Sequence, residues 1–259
     1  MTYWYKGALH EGGVTLGVDS PAFRYGAGFF ETLLWNGAEP WLLDAHIARL
    51  EGSLARFSVD YQPCDYPAVI AHVVEACGLR DTTARINILV PIEDADAAAS
   101  PLVLAAPWTP PHPDATRTLR LASQPAQSPL GMHKSMNYLG NWLERRAALR
   151  DGYDDVVVTL PGNIVLETTT AALLFSDGTN YCAPAGLTRL RSTTLDAART
   201  VLPVHDCTIR VAELFSFRHA YMLNALVGML PVRAIGTHAY DVDAAPCARL
   251  RPLLLGLHD

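Results

Sequence analysis

At 259 residues, half of them hydrophobic, the chain is long enough to bury a real core as two modest domains or one large one, which argues against a disordered chain. A formal charge of -6 without basic clusters argues against a nucleic-acid surface, because phosphate backbones need a concentrated field of Lys and Arg; a small-molecule substrate fits better. The five cysteines (Cys64, Cys77, Cys182, Cys207, Cys247) are scattered and form no C-x-x-C pair, so reduced thiols are expected rather than a disulfide framework or a zinc site.

In chain order, residues 2–6 and FFETLLW (29–35) read as strands. DAHIARLEGSLARF has apolar residues at helical spacing, with Asp44 placed to cap its first turn. YPAVIAHVVEACG reads as a second helix, RINILVP and PLVLAA as strands, so the first half looks like an α+β domain. APWTPPHPD then brings four prolines and no periodicity, a stiff connection that places a domain boundary near residue 113, dividing the chain into 1–112 and 113–259. Beyond it, TLRLAS reads as a strand, NYLGNWLERRAALRDG as a helix ended by Gly152, and DDVVVTLPGNIVLETTTAALLF as strands around a P-G turn. RSTTLDAARTVL reads as a helix with Ser192 at its N-cap, and TIRVAELF, AYMLNAL and LPVRAIG as mostly strand. The N-terminus lacks the pattern of a secretory signal, and no apolar run approaches the roughly 18 residues of a membrane span. A soluble, cytoplasmic protein is expected.

Arginine is plentiful, but Lys6 and Lys134 are the only lysines. Lys134 stands after a loop and before a helix, where an amine can point into a cleft; taken alone it reads as a solvated lysine. Burial or a neighbouring cation would make it a nucleophile able to form a Schiff base. Glu167 ends the apolar strand GNIVLE, where a carboxylate needs a partner; a protonated ring nitrogen would be one, and a strand-end surface glutamate is the plain alternative. Arg49, one turn after His46 on HIARL, could clamp a phosphate or simply be solvated. The RSTTL helix start offers N–H groups, hydroxyls and a dipole for a phosphate, or plain capping.

The order and spacing of these residues carry more than each alone. RYGAGFFETLLWNG followed by LLDAHIARLEGSL resembles the class IV aminotransferase signature of a Y/F-G-D-G-x-F-E strand and H-x-x-R-L. HKSMNYLGNWLERRAALRDGYDDVVVTLPGNIVLETTTAALLF is similar to the family's K-x-x-N-Y-L-x-N helix, its A-x-x-x-G-x-D-E bridge and its G-x-V-x-E strand, and AYMLNALVGMLPVRAIG to its closing strand, loop and P-V. The likeness runs from about residue 3 to residue 240. It implies an α+β fold of type IV, a small N-terminal α/β sandwich plus a C-terminal pseudo-barrel, and a homodimer with pyridoxal 5'-phosphate between domains. It further implies that Lys134 holds the cofactor as a Schiff base and that Glu167 pairs with the pyridine nitrogen. Arg49, Thr193, Thr194 and the Asn224-Ala225 loop would bind the phosphate, and Tyr138 the ring oxygen. Arg24 and Phe30 are expected beside the substrate. Ala27 stands where the family has the aspartate of G-D-G, and Ala172 where it has an asparagine five residues after the glutamate. AGLTR (185–189) competes with RSTT as the phosphate element.

NALVGMLPV, with Ala225 where transaminases tend to carry threonine, resembles the 4-amino-4-deoxychorismate lyase branch, which eliminates pyruvate to give the 4-aminobenzoate of folate. D-amino-acid and branched-chain aminotransferases are the alternatives, with an inactive binding protein on the same fold as a minor one. The lyase segment S-R-G-x-x-G-R-G-Y is absent, and PIEDADAAAS, acidic and without arginine, stands in its place. The usual carboxylate clamp is therefore missing under every reading. Arg24, Arg191 or Arg218 would have to replace it, since a dicarboxylate in a dry cleft needs a counter-charge.

Overall fold

The chain opens with a hairpin, β1 (Thr2–Tyr5) and β2 (Ala8–Glu11), turned by Lys6 and Gly7, both at positive φ. The expected strand over 2–6 therefore stops one residue short. A computed structural model describes residues 1–125, 130–186 and 188–257. Ser128 and Pro129, ahead of Lys134, and Leu187, within AGLTR, lie outside the described residues.

Two units form. The first holds Met1–Pro110 with His133–Tyr138, the second Pro111–Met132 with Leu139–Asp259. The first continues through α1 (Pro21–Tyr25), β3 (Gly28–Trp35), α2 (Leu43–Arg56), α3 (Tyr66–Ala76), β4 (Ala84–Pro91) and β5 (Leu102–Pro107). Its antiparallel sheet runs β2-β1-β5-β4-β3. Pleating sends Phe29, Leu33, Ile86, Ile88 and Val103 to one face, where they bury with Leu50 and Leu54 of α2 and Ile70 and Val73 of α3. Burying each such side chain stabilises by about 1.5–3 kcal/mol. Helix α1 was legible but unread: Ser20 caps Phe23 N at 3.2 Å, Pro21 sits in its first turn, and Gly26 closes it in the left-handed region. The cap expected from Asp44 is not made. Leu42, in the left-handed region, is the N-cap of α2 and makes no side-chain bond, while Asp44 lies in the first turn, where its charge suits the helix dipole.

The second unit contains β6 (Arg117–Leu121), α4 (Leu139–Arg150), β7 (Asp155–Leu160), β8 (Ile164–Thr168), β9 (Ala172–Ser176), β10 (Tyr181–Pro184), α5 (Thr193–Arg199) and β11 (Val204–Cys207). A 3-10 turn (Val211–Ser216), β12 (His219–Asn224), β13 (Gly228–Ile235), β14 (His238–Ala239) and α6 (Ala245–Leu255) follow. The sheet runs β11-β10-β9-β12-β13-β6-β7-β8, with β14 beside β13. It curls on itself: β8 lies against β9 and β10, and Val165 N donates to Ile209 O. The expected α+β fold is present, with the second sheet curled into a half-barrel.

TIRVAELF is not a strand. The Glu213 carboxylate reaches back to accept from Arg210 N at 2.7 Å, which winds Val211–Ser216 into a 3-10 turn. The cysteines depart from expectation too, since Cys182 and Cys207, on the paired strands β10 and β11, are joined as a disulfide. Among the described residues no helix is long and apolar enough to cross a membrane, and no cluster of metal-ligating side chains occurs.

Candidate functional site

Lys134 belongs to the first unit because its backbone pairs with the free edge of β3. Phe30 N donates to Lys134 O at 2.8 Å, Met136 N donates to Gly28 O at 2.9 Å, and Ser135 bridges Phe29. The approach requires glycine at 28: a Cβ there would stand 2.5 Å from Val90 O and 2.7 Å from Met136 Sδ, on a backbone at φ 144. With its main chain pinned, Lys134 places Nζ 4.4 Å from the centre of the Phe30 ring and 5.3 Å from that of Tyr138. Those rings meet edge to face at 5.3 Å. Neighbouring His133 is anchored as well, with Nδ1 3.0 Å from Ser53 Oγ on α2 and its ring against Phe57. Lys134, Tyr138 and Phe30 are thus brought together.

Arg49 is engaged by a residue the sequence reading passed over. Glu31, fully buried on the core face of β3, accepts Arg49 Nε at 2.7 Å and Nη2 at 2.5 Å, and its Oε2 lies 2.8 Å from His46 Nδ1. The signal was present: alternation along FFETLLW places Glu31 with Phe29 and Leu33, and an acid on that face demands partners, which HIAR supplies at i, i+3. Burial alone would raise the Glu31 pKa, but hydrogen bonds from Arg49 and His46, with the Arg49 charge, bring it down to about 2. Burial holds His46 below the ordinary imidazole value despite the pull of Glu31. A neutral ring facing an acceptor-only carboxylate donates from Nδ1.

In the second unit, Glu167 is half-buried on β8, and its Oε1 accepts Leu190 N at 3.3 Å. The threonine run that follows is tied to buried Asp155, also unread in the sequence. Asp155 accepts from Thr168 Oγ1 at 2.9 Å, Thr170 Oγ1 at 2.6 Å, Val156 N at 2.8 Å, and Thr169 Oγ1. Asn224 Nδ2 donates to Thr170 O at 3.2 Å, while its Oδ1 accepts Leu226 N and Val227 N, folding the turn that holds Ala225. The threonine run, Asp155 and the Asn224-Ala225 turn therefore form one hydrogen-bonded group, next in the chain to Glu167. Thr193 and Thr194 begin α5 behind the Ser192 cap, and both are buried. Thr194 Oγ1 has no hydrogen-bond partner among the described residues, and neither has Thr188 Oγ1 of the competing AGLTR segment. Buried orphan hydroxyls suit a ligand rich in acceptors, such as a phosphate.

The proposed replacement cations fare differently. Arg191 pairs with Asp196 at 2.6 Å and Arg218 with Asp241 at 2.9 Å, both at the surface, so local carboxylates already neutralise them. Arg24 is exposed at the end of α1, with its guanidinium 5.1 Å from the Tyr25 ring.

A family model described as amino-transferase class IV matches residues 28–235. No curated protein matches. Among solved structures, the chain is similar to the branched-chain aminotransferase of the archaeon Thermoproteus uzoniensis, crystallised with norvaline (TM-score 0.89, 20% identity, covering 99% of this chain and 95% of that one). It is also similar to the Escherichia coli branched-chain amino acid aminotransferase (TM-score 0.84, 18% identity, 100% and 95%). A third likeness is to a branched-chain amino acid aminotransferase from T.th., solved with pyridoxamine 5'-phosphate (TM-score 0.82, 19% identity, 98% and 94%).

Proposed function

This chain belongs to the class IV aminotransferases, enzymes that depend on pyridoxal 5'-phosphate, and from that premise we propose that it moves an amino group between a small amino donor and an oxo-acid acceptor. The observation that carries the reading is Lys134, the one lysine besides the turn residue Lys6, held by backbone pairing beside two aromatic rings. Its Nζ would hold the cofactor and would serve as the base that moves the proton at the substrate carbon. The bound cofactor supplies a pyridinium ring that accepts the electron pair left at the substrate carbon. Glu167 holds the charge on the ring nitrogen, with Leu190 N fixing one of its oxygens. Arg49, oriented by Glu31, is the phosphate-binding residue proposed in the first unit, and Thr193, Thr194 and the Asn224-Ala225 turn are those proposed in the second; Tyr138 would donate to the ring oxygen.

Transamination is supported over pyruvate elimination by the likeness to branched-chain aminotransferases. The segment after β4 lacks the cations of the usual clamp for either reaction, and its Glu93 accepts hydrogen bonds from Tyr5 and from Lys6 Nζ, the latter at 2.8 Å. Ala225 favours the lyase as a second reading. The test mixes purified protein with 4-amino-4-deoxychorismate, or with D- and L-amino acids and 2-oxoglutarate, while its visible spectrum is followed. Amino transfer without release of 4-aminobenzoate is expected. Release of pyruvate and 4-aminobenzoate would install the lyase reading, and absence of a cofactor band at saturating pyridoxal 5'-phosphate would overturn both.

A homodimer is part of the proposal. It is supported by α4, where Leu139, Trp142 and Leu143 are exposed at helical spacing and Arg146 lies 5.0 Å from the Trp142 ring. Trp142→Asp is expected to shift the protein from dimer to monomer in sedimentation; a monomeric parent would remove the assembly from the proposal.

A further inference from the structure

The segment that delivers Lys134 is held on β3 by a short pairing. Phe30 N donates to Lys134 O at 2.8 Å and Met136 N to Gly28 O at 2.9 Å, around the single bridge of Ser135 to Phe29. So short a pairing has no long row of alternating side chains to fix its register, and a slip by one residue turns every side chain to the other face of the sheet. Here that slip would carry Lys134 from the Phe30 side to the core side.

The bridge sets the faces. Ser135, paired with Phe29, is buried on the core side, and His133, two residues earlier, falls on that side too. Lys134, between them, turns the other way, where its Nζ meets the Phe30 ring at 4.4 Å. His133 is the gripped end of the segment. Its Nδ1 lies 3.0 Å from Ser53 Oγ on α2, and its ring meets Phe57 edge to face at 4.8 Å and Phe29 at 6.4 Å, two rings that stack on each other at 5.6 Å. Burial, with the Arg56 charge, holds His133 below the ordinary imidazole range, so the grip adds no cation beside Lys134. Ser53 Oγ already donates to Arg49 O at 3.1 Å, and it therefore accepts from the Nδ1–H of the neutral ring.

We infer that His133 is a positioning residue, which through its hydrogen bond to Ser53 fixes the register of residues 133–136 on β3 and so aims Lys134 Nζ. This role rests on the proposed attachment of cofactor to Lys134 and goes beyond it, since the grip lies on the opposite side of the sheet from the reacting atoms.

Two substitutions separate the hydrogen bond from the packing. His133→Phe keeps a ring against Phe57 and Phe29 but gives Ser53 no donor, whereas His133→Asn gives up the ring and keeps an N–H near the place of Nδ1. In the full chain, before cofactor is added, His133→Phe is expected to speed deuterium exchange of the peptide spanning 133–138 by about fivefold, the scale of one neutral hydrogen bond, and to slow growth of the visible band on adding pyridoxal 5'-phosphate by a like factor. In the loaded enzyme kcat is expected to fall by about as much, with KM for the amino donor within about twofold of the parent, because substrate binding itself is untouched. Ser53→Ala is expected to reproduce these changes and to add nothing to them in the double variant, and it carries the test if His133→Phe fails to fold. His133→Asn is expected to stay within about twofold of the parent throughout. Parental exchange and band growth in His133→Phe, additive losses in the double variant, or an asparagine variant as impaired as the phenylalanine one overturns the inference, and so does faster exchange over the whole first unit, the mark of a structural role alone. The expected exchange and band changes in a protein that transfers no amino group would uphold His133 and defeat the transaminase reading. Amino transfer by the parent and by His133→Phe at one and the same rate would do the reverse.

Discussion

Lys134→Ala is expected to lower kcat by at least about a thousandfold and to abolish the visible band of lysine-bound cofactor, because one side chain serves as attachment point and proton carrier. The rest of the molecule should scarcely notice. The Lys134 backbone is held through Phe30 N and Met136 N, which the substitution leaves in place, and contact of Nζ with the rings of Phe30 and Tyr138 is worth about 0.5–1 kcal/mol. Activity and stability therefore separate. Lys6 is the built-in control: it occupies a hairpin turn at positive φ, and its Nζ is tied to Glu93 at 2.8 Å. Lys6→Ala should keep the band and the rate. Borohydride reduction followed by peptide mapping checks this directly, with the label on the peptide containing Lys134; a label on Lys6, or none, sinks the assignment.

Much of the fold was legible because its signals are local. Alternation in FFETLLW and RINILVP gave β3 and β4, and helical spacing gave α2 and α3. What was missed depends on partners distant in sequence. That His133–Tyr138 groups with the first unit rather than with the segment after residue 113 follows from pairing along the edge of β3, about a hundred residues earlier, which no local pattern announces. Glu31 drew no notice because its signature position was read as strand and Arg49 as a phosphate ligand, and only the packed structure shows the bidentate pair. The disulfide between Cys182 and Cys207 likewise needed the parallel pairing of β10 with β11.

Glu31→Ala is the substitution with the largest expected effect on stability, about 3–5 kcal/mol, because it leaves the Arg49 cation largely buried without its carboxylate. In a chain of this size that lowers Tm by on the order of 10 °C. The effect carries a pH signature. The Glu31 pKa is about 2 in the folded protein against an ordinary 4.5, so the unfolded chain takes up this proton first as pH falls. Its stabilisation is complete above pH 4.5 and is lost as pH falls through 4.5 towards 2. His46 adds to the same slope: with its folded pKa below 6.5, the unfolded state is protonated first, and stability declines as pH drops below 6.5. The difference in Tm between parent and Glu31→Ala should therefore be largest above pH 4.5 and narrow below it; a difference constant from about pH 3 to about pH 8 would show that Glu31 acts through packing rather than charge. The pair should also matter to the cofactor. A guanidinium held at Nε and Nη2 presents one fixed orientation, and freeing it should weaken pyridoxal 5'-phosphate by about tenfold, the scale of one charge-assisted hydrogen bond, while leaving phosphate-free pyridoxal unaffected. Equal weakening of both ligands would mean that Glu31 supports the fold without orienting Arg49 towards a phosphate.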